Sequence, residues 1–236
     1  MGKRTTSRAK GKGSFTFQVR KQAYVYRISY PKLSTEGKAK ITKLINSSAH
    51  TAPLAEITIG KEKFYSPASD GTYEGQEIDI IKKHENKKPE NGDILKLKDI
   101  SQGTNVFNIE VFPGSGGKIL RSSGGSGIIG VKEGNTVEVI IKRRRLRLNP
   151  ENRATIGSVA GQGRVMKPLV KAGNKFHLIT SRGKKWPRTS AIKTNAVDHP
   201  FGSGRGKRIK SKIAQRNASP GQKAGHIRPR RTGHIK

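Results

Sequence analysis

Short runs of alternating apolar and polar residues, bounded by turns, occupy the middle of the chain. The runs are AEITIG, GQEIDIIKK, GDILKLKDI, NVFNIEVFPG and NTVEVIIKRRRLRL. Alternation is clearest at Val137, Val139 and Ile141, and a period of two is typical of a strand with one buried face. Proline, Asp-Gly and Asn-Gly in SPASDGTYEGQ and KPENGD indicate turns between the runs. The pattern predicts a mainly β protein of small sheets, most simply one or two small barrels.

One segment has the character of a helix. It covers 167–181, KPLVKAGNKFHLITS, where Pro168 suits a first helical turn and Gly173 weakens the middle. We therefore predict one short helix after the β-rich part.

Composition narrows the class of partner. The 236 residues, 31% of them hydrophobic, allow one or two domains with modest cores. Lys and Arg number 49 against 16 Asp and Glu, which gives a net charge of +33. A free compact monomer with this charge would repel itself, so nucleic acid is the natural counterweight.

The positive charge is concentrated at the two ends. Residues 1–35 hold nine Lys or Arg and no acid, residues 36–151 hold 19 against 15, and residues 152–236 hold 21 against one. A basic run alone is usually a solvated face or a disordered tail. Two such runs around a nearly neutral centre favour extensions that become ordered on nucleic acid.

Several functional classes are disfavoured by what the chain lacks. It has no cysteine, and its six histidines show no close metal-ligand spacing, so we expect no metal and no cofactor. No apolar run approaches a membrane span, and MGKRTTSRAKGKGSF lacks the apolar region of a secretory signal. We expect a cytoplasmic protein without a membrane partner.

A glycine-rich segment resembles a nucleotide site only superficially. Eight glycines lie in 114–134, and GSGIIG at 125–130 matches G-x-G-x-x-G. That fingerprint requires a following helix, whereas VKEGNTVEV indicates a turn and a strand. The spacing of a phosphate-binding loop around Lys118 also fails. These glycines are better explained by tight turns and close backbone approach.

A basic cluster follows the clearest alternation. Lys142, Arg143, Arg144, Arg145 and Arg147 are predicted to end a strand, from which guanidinium groups can grip phosphate oxygens bidentately. A nuclear-localisation signal is the alternative, but it requires an exposed loop, and the preceding Val and Ile argue against one.

The single tryptophan, Trp186, lies between cations in RGKKWPR. It is either a core or lid residue or a platform on which a base stacks. The sequence leaves both interpretations open.

Four long motifs carry a family resemblance. RAKGKGSFTF, RATIGSVAGQGR, KPLVKAGNK and RGKKWPRTSAIKTNAVDHPFGSGRGKR resemble the universal large-subunit ribosomal protein two family, in its archaeal and eukaryotic-type form. The resemblance extends over nearly the whole chain. The sequence departs from the family where members commonly have three glycines, because Ser203 stands between Gly202 and Gly204.

The resemblance implies an architecture. It implies a basic N-terminal arm (1–31), an OB-fold barrel (32–91), an SH3-like barrel with a short helix (92–181) and a basic C-terminal extension (182–236). OB-fold barrels often stack bases on aromatic residues, but Phe64, Tyr65 and Tyr73 fit core or turn positions better. We expect the second barrel and the tails to carry most of the binding.

The resemblance also implies a function and partners. It implies a structural constituent of the large ribosomal subunit that binds large-subunit (23S) rRNA near the peptidyl-transferase region. This constituent would support assembly, subunit association and tRNA placement. It would also contact neighbouring ribosomal proteins and, at the subunit interface, the small subunit. The predicted rRNA-binding residues are Arg121, Arg143, Arg144, Arg145, Arg164, Lys184, Lys185, Trp186, Arg188, His199, Arg205, Lys207 and Arg208.

Asp198 and His199 offer an alternative, an enzyme that uses them as a base. Neighbouring side chains in an extended segment point to opposite faces, so Asp198 cannot easily orient His199. Binding explains AVDHPFGSGRGKR better: Pro200 favours an extended His199, and the glycines let the backbone approach phosphate or ribose. We expect no catalysis.

The charge distribution generates a first prediction. Limited proteolysis of the RNA-free protein should trim both basic ends and leave 36 to about 180 as a soluble β-rich fragment, because extensions that need a polyanion cannot bury enough apolar surface alone. Mass spectrometry of the fragments measures this. A protease-resistant fragment from the C-terminal part that still contains Trp186 contradicts it.

Overall fold

The computed structural model of the protein describes residues 6–81, 89–202, 213–214, 216–219 and 222–227. Contacts divide the chain into two units. We call Lys21–Leu169 the strand unit, and Met1–Arg20 with Val170–Lys236 the terminal unit. Among the described residues, no helix is long and apolar enough to cross a membrane.

The elements confirm a mainly β protein. The five alternating runs contain strands, and short helices and turns supply the rest. The helices are α1 (Thr6–Gly11), α2 (Gly163–Met166) and α3 (Ala172–Thr180). The strands are β1 (Gly37–Ile45), β2 (Leu54–Ile59), β3 (Glu62–Pro67), β4 (Glu77–Ile80), β5 (Ile94–Lys96), β6 (Asn105–Phe107), β7 (Gly127–Glu133), β8 (Thr136–Ile141), β9 (Arg144–Leu148), β10 (Arg153–Ile156), β11 (Ile213–Ala214) and β12 (His226–Ile227).

Ten strands of the strand unit form one continuous sheet. Their order is β3-β2-β1-β4-β5-β10-β6-β7-β8-β9. Neighbours are antiparallel except β4 and β5, which pair in parallel at Ile80 and Ile94. This sheet holds every strand that the sequence pattern indicated.

Two large hydrophobic cores lie along this sheet, with β5 between them, and Ala52, Phe107 and Val159 form a third, small cluster. Ile94 belongs to the core that contains Ile41 and Phe64, whereas Leu95 belongs to the core that contains Val139. Successive strand residues point to opposite faces, so two buried neighbours can serve two cores. The change of core falls close to the predicted boundary after residue 91, while the assignment of the two parts as OB and SH3-like barrels stays a prediction.

The basic cluster lies on a hairpin rather than at one strand end. β8 pairs with β9 in antiparallel register, with Ile141 opposite Arg144. Lys142 and Arg143 form the turn, and Lys142 takes a φ of 55°, as two-residue hairpin turns require positive φ. No glycine, asparagine or aspartate marks this turn, which is why the sequence suggested a single strand.

A buried polar cluster connects β10 to the segment before β1 and to the loop after β6. The Arg153 side chain is 1% exposed and that of Glu110 is 0% exposed, with Arg153 Nη2 2.9 Å from Glu110 Oε1. Arg153 Nη1 donates to the carbonyl of Pro31 at 2.9 Å, and its guanidinium lies 5.2 Å from the ring centroid of Tyr30. The Tyr30 hydroxyl donates to the Asn108 carbonyl at 2.7 Å, and burial raises its pKa.

The terminal unit brings the two basic ends into contact. α3 lies inside the predicted helical segment, but it begins at Ala172 because Lys171 is extended, so Pro168 precedes the helix. After α3 the chain turns at Gly183, whose φ is +61°, and a Cβ there would lie 3.0 Å from the Phe17 carbonyl oxygen. Residues of the N-terminal arm therefore pack against the segment after α3. The predicted four-part division stays a prediction.

The buried ion pair generates a stability prediction. Glu110→Gln should lower the free energy of unfolding by about 3 to 5 kcal/mol, because it leaves the Arg153 guanidinium buried without its counterion. Urea unfolding at neutral pH, followed by circular dichroism, measures the loss.

Glu151→Gln is the matched control. Glu151 pairs with Lys96 at 3.0 Å, but its side chain is 44% exposed, and water and salt screen such pairs. The control should therefore cost much less. Equal losses in the two variants would show that the buried pair is no more important than an exposed one.

Candidate nucleic-acid interface

A groove of about 810 Å³ in the strand unit collects cations from separate segments. Lys118 and Arg121 come from the loop between β6 and β7, and Lys142 comes from the β8–β9 turn. No carboxylate occurs among the described residues that line it. We call this surface the cationic groove, and its charge suits phosphate oxygens.

Apolar and aromatic side chains form another part of the groove lining. Tyr24, Val165 and Met166 line it, and they are 55%, 78% and 76% exposed. Exposed aromatic and aliphatic surface beside cations can accept an unstacked base or a ribose while the cations hold the phosphate. The groove therefore offers both kinds of contact that single-stranded RNA makes.

The glycine-rich loop along the groove uses its amides internally. The N–H of Ser123 donates to Thr51 Oγ1 at 3.2 Å, that of Gly124 to the Val159 carbonyl at 2.9 Å, and that of Gly125 to the Ser122 carbonyl at 2.9 Å. GSGIIG continues directly into β7. Since these three amides are committed, they cannot cradle a phosphate, which agrees with rejecting a nucleotide fingerprint.

His50 lies in this groove and was not predicted. Its Nδ1 is 2.8 Å from Ser47 Oγ, and its ring meets that of Tyr24 edge-on at 5.8 Å. Burial and the Arg121 cation lower its pKa, so the free protein holds the ring neutral near pH 7. Nothing in SSAHTAP indicates this role, because the sequence does not show that the β1–β2 connection lies beside the β6–β7 loop.

The hairpin arginines are divided between two faces. Leu146 pairs with the buried Val139, whereas Arg145 and Arg147 alternate with it on the outer face. Arg145 Nη1 lies 3.9 Å from Glu138 Oε1, so carboxylate charge offsets part of the positive charge there. Only Lys142 of the predicted basic cluster reaches the cationic groove, although Arg143 and Arg144 are exposed nearby in the chain.

Trp186 packs within the terminal unit. It is partly buried, its ring meets Phe176 of α3 at 6.4 Å, and Lys175 Nζ lies 5.8 Å from its centroid. These contacts favour the packing role over an open stacking platform. The neighbouring predicted cations are exposed: Lys184, Lys185 and Arg188.

His199 lies in a turn whose backbone groups hydrogen-bond to one another. The amides of Asp198 and His199 both donate to the Asn195 carbonyl, at 3.0 and 3.2 Å, and the Gly202 amide donates to the His199 carbonyl at 2.8 Å. A Cβ at Gly202 would lie 2.2 Å from the Asn195 carbonyl oxygen. Glycine at 202 is therefore explained by internal packing, rather than by backbone approach to RNA as the sequence suggested.

Comparison with known proteins decides the family. The family model described as "Ribosomal Proteins L2, C-terminal domain" matches residues 90–221. The "Large ribosomal subunit protein uL2" of Hyperthermus butylicus is 38% identical over 240 residues, 100% of either chain. Proteins of the same name from Archaeoglobus fulgidus and Methanothrix thermoacetophila are each 40% identical over 99% of both chains. The chain belongs to the uL2 family.

Membership of the uL2 family confirms the resemblance carried by the four motifs. The family match covers the β6–β7 loop, the β8–β9 hairpin and the turn that holds His199. Arg164 is exposed in α2, outside the residues that line the groove. Arg205, Lys207 and Arg208 lie outside the described residues. The assignment of all these residues to rRNA binding stays a prediction.

The lowered pKa of His50 generates a prediction on acid stability. The folded state takes up a proton at His50 less readily than the unfolded chain does, so stability should fall as pH decreases below the ordinary histidine pKa of about 6.5. His50→Gln should reduce this loss between about pH 7.5 and 5.5, measured by urea unfolding at each pH.

Arg121→Ala tests the cause of the same effect. Removing this cation should also reduce the loss of stability on acidification, although less than His50→Gln does, because burial is the larger cause. An unchanged loss in His50→Gln would mean that other groups account for it.

Proposed function

We propose that the protein is a structural constituent of the large subunit of cytoplasmic ribosomes, and that it binds large-subunit (23S) rRNA directly near the peptidyl-transferase region. The names of its relatives support the first statement. The cationic groove supports direct binding of RNA, and the place near the peptidyl-transferase region follows from the family resemblance. Support of assembly, subunit association and tRNA placement, with contacts to neighbouring ribosomal proteins and the small subunit, follows from the family resemblance.

The groove supports RNA binding because of what it combines. Lys118, Arg121 and Lys142 face one concavity whose described lining holds no carboxylate, and Tyr24 and Met166 add exposed apolar surface. Side chains with free ammonium or guanidinium groups neutralise phosphates and release counterions. Aromatic and aliphatic surface then favours unpaired nucleotides over a regular duplex.

The terminal unit adds electrostatic attraction. Its residues, 1–20 and 170–236, hold a single acid against 24 Lys or Arg, and Lys184, Lys185 and Arg188 are exposed. Their charges would steer the protein to RNA and hold it there, whereas the groove fixes the register through geometry.

The second candidate function is catalysis by Asp198 and His199. It is rejected, because the protein is not an enzyme. The family is one of structural ribosomal proteins. In a catalytic triad a carboxylate orients the histidine through Nδ1, but here Nδ1 of His199 accepts a hydrogen bond from the Phe201 amide at 3.1 Å.

Salt dependence tests the proposal. The affinity of the full-length protein for a 23S rRNA transcript of an archaeal relative should fall with salt, with a log–log slope of roughly −0.7 to −0.9 per phosphate contact. A variant with Lys118, Arg121 and Lys142 all changed to Ala should lose roughly two to three contacts from that slope, measured by filter binding.

Arg145→Ala with Arg147→Ala is the matched control. It also removes surface cations from the strand unit, but from the face where Arg145 lies beside Glu138, so the slope should change less. If the groove variant and the control change the slope equally, the groove is not the preferred phosphate site. Wild-type protein that binds 23S rRNA no better than a length-matched unrelated RNA contradicts the proposal as a whole.

A further inference from the structure

The side chain of His199 takes part in its own turn. The Phe201 N–H donates to His199 Nδ1 at 3.1 Å, in the manner of an Asx turn, in which a side-chain acceptor bonds the amide two residues on. The two rings lie 5.0 Å apart at 57°. With the backbone bonds to Asn195 and Gly202, these contacts hold the imidazole in one orientation.

That hydrogen bond determines which nitrogen carries the proton. A backbone N–H can only donate, so Nδ1 must offer its lone pair and cannot be protonated. A neutral imidazole has one proton, which therefore lies on Nε2. His199 remains partly exposed. In this arrangement Nδ1 is occupied and Nε2 carries a hydrogen, so neither nitrogen presents a lone pair for taking up a proton from a substrate.

We propose that the Asn195–Gly202 turn makes His199 a neutral hydrogen-bond donor, through Nε2–H, to an acceptor atom of the bound rRNA. This proposal rests on the proposed function. The acceptor is a phosphate oxygen, a ribose 2′-oxygen or an acceptor on a base edge, all of which RNA presents. His199 then differs from the surrounding Lys and Arg residues, because it contributes a directed contact without a charge.

Two substitutions separate the roles of the two ring nitrogens. In His199→Asn, the amide oxygen stands in for Nδ1 and can still accept from Phe201, but no donor reaches the position of Nε2. In His199→Gln, the longer side chain carries an N–H near the position of Nε2, but it lacks the ring acceptor. The first variant keeps the turn bond and the second keeps the donor.

Binding to the 23S rRNA transcript of an archaeal relative tests the assignment. We expect His199→Gln to bind within about threefold of wild type and His199→Asn to bind about tenfold more weakly, as for one lost hydrogen bond. The slope with salt should be the same in all three proteins, because a neutral donor releases no counterion. Weaker binding by Gln than by Asn, or equal binding by both, overturns the proposal.

Nuclear magnetic resonance tests the tautomer without RNA. The full-length protein is labelled with ¹⁵N in its six histidines, and the His199 signals are identified by their absence from His199→Gln. The ¹⁵N shifts should show a protonated Nε2 and an unprotonated Nδ1 near neutral pH. The opposite tautomer overturns the proposal, whatever affinity the two variants have for RNA.

Analogue interference identifies the acceptor. Transcripts that contain 2′-deoxy, 7-deazapurine or phosphorothioate substitutions are selected for binding to wild type and to His199→Asn. A position whose interference disappears in the Asn variant is the partner of His199, and the type of analogue names the atom. If no position behaves so, the donor does not meet RNA. The variant with Lys118, Arg121 and Lys142 changed to Ala reports separately on the groove, so a failure here leaves the proposed function testable on its own.

Discussion

Arg153 and Glu110 lie completely buried in the strand unit, with Nη2 and Oε1 2.9 Å apart. Burial of this pair is tolerable only because nearly every polar atom has a further partner. Glu110 accepts the amides of Arg153 and Gly116, at 2.9 and 3.1 Å, and Arg153 reaches the carbonyl of Pro31. One ion pair therefore fixes β10, the segment before β1 and the loop after β6 relative to one another.

The loop after β6 determines the geometry of the cationic groove. The amides of Lys118 and Ile119 both donate to the Ile109 carbonyl, at 2.9 and 3.0 Å. Gly117 lies so close to Asn108 that a Cβ would be 2.1 Å from its Oδ1, so only glycine fits there. Lys118 and Arg121 consequently project from a backbone held in place by the buried cluster, which would limit the entropy lost in the proposed contact with phosphate.

Sequence reasoning found what depends on local pattern. Alternation located the strands, the missing helix excluded the GSGIIG fingerprint, and long motifs identified the family. It did not find His50, whose neighbours come from distant segments, or the Lys142 turn, which lacks the usual turn residues. Nor did it find the internal role of Gly202, since a glycine before a basic stretch suits a close approach to RNA equally well. Each failure concerns which segments are in contact in the folded chain. The spacing of residues along the sequence does not contain that information.

The placement of acids, more than that of cations, determines where the surface of the strand unit is strongly positive. Glu110 is committed to Arg153, Glu138 lies beside Arg145 and Glu151 pairs with Lys96. The hydrogen bond from Lys63 lowers the pKa of Glu56, which keeps that carboxylate charged. The partly exposed pairs among them offset positive charge on the surface outside the groove. The strand unit, with 25 Lys or Arg and 15 acids, thus presents a positive concavity whose described lining holds no carboxylate, and the terminal unit supplies most of the remaining positive charge.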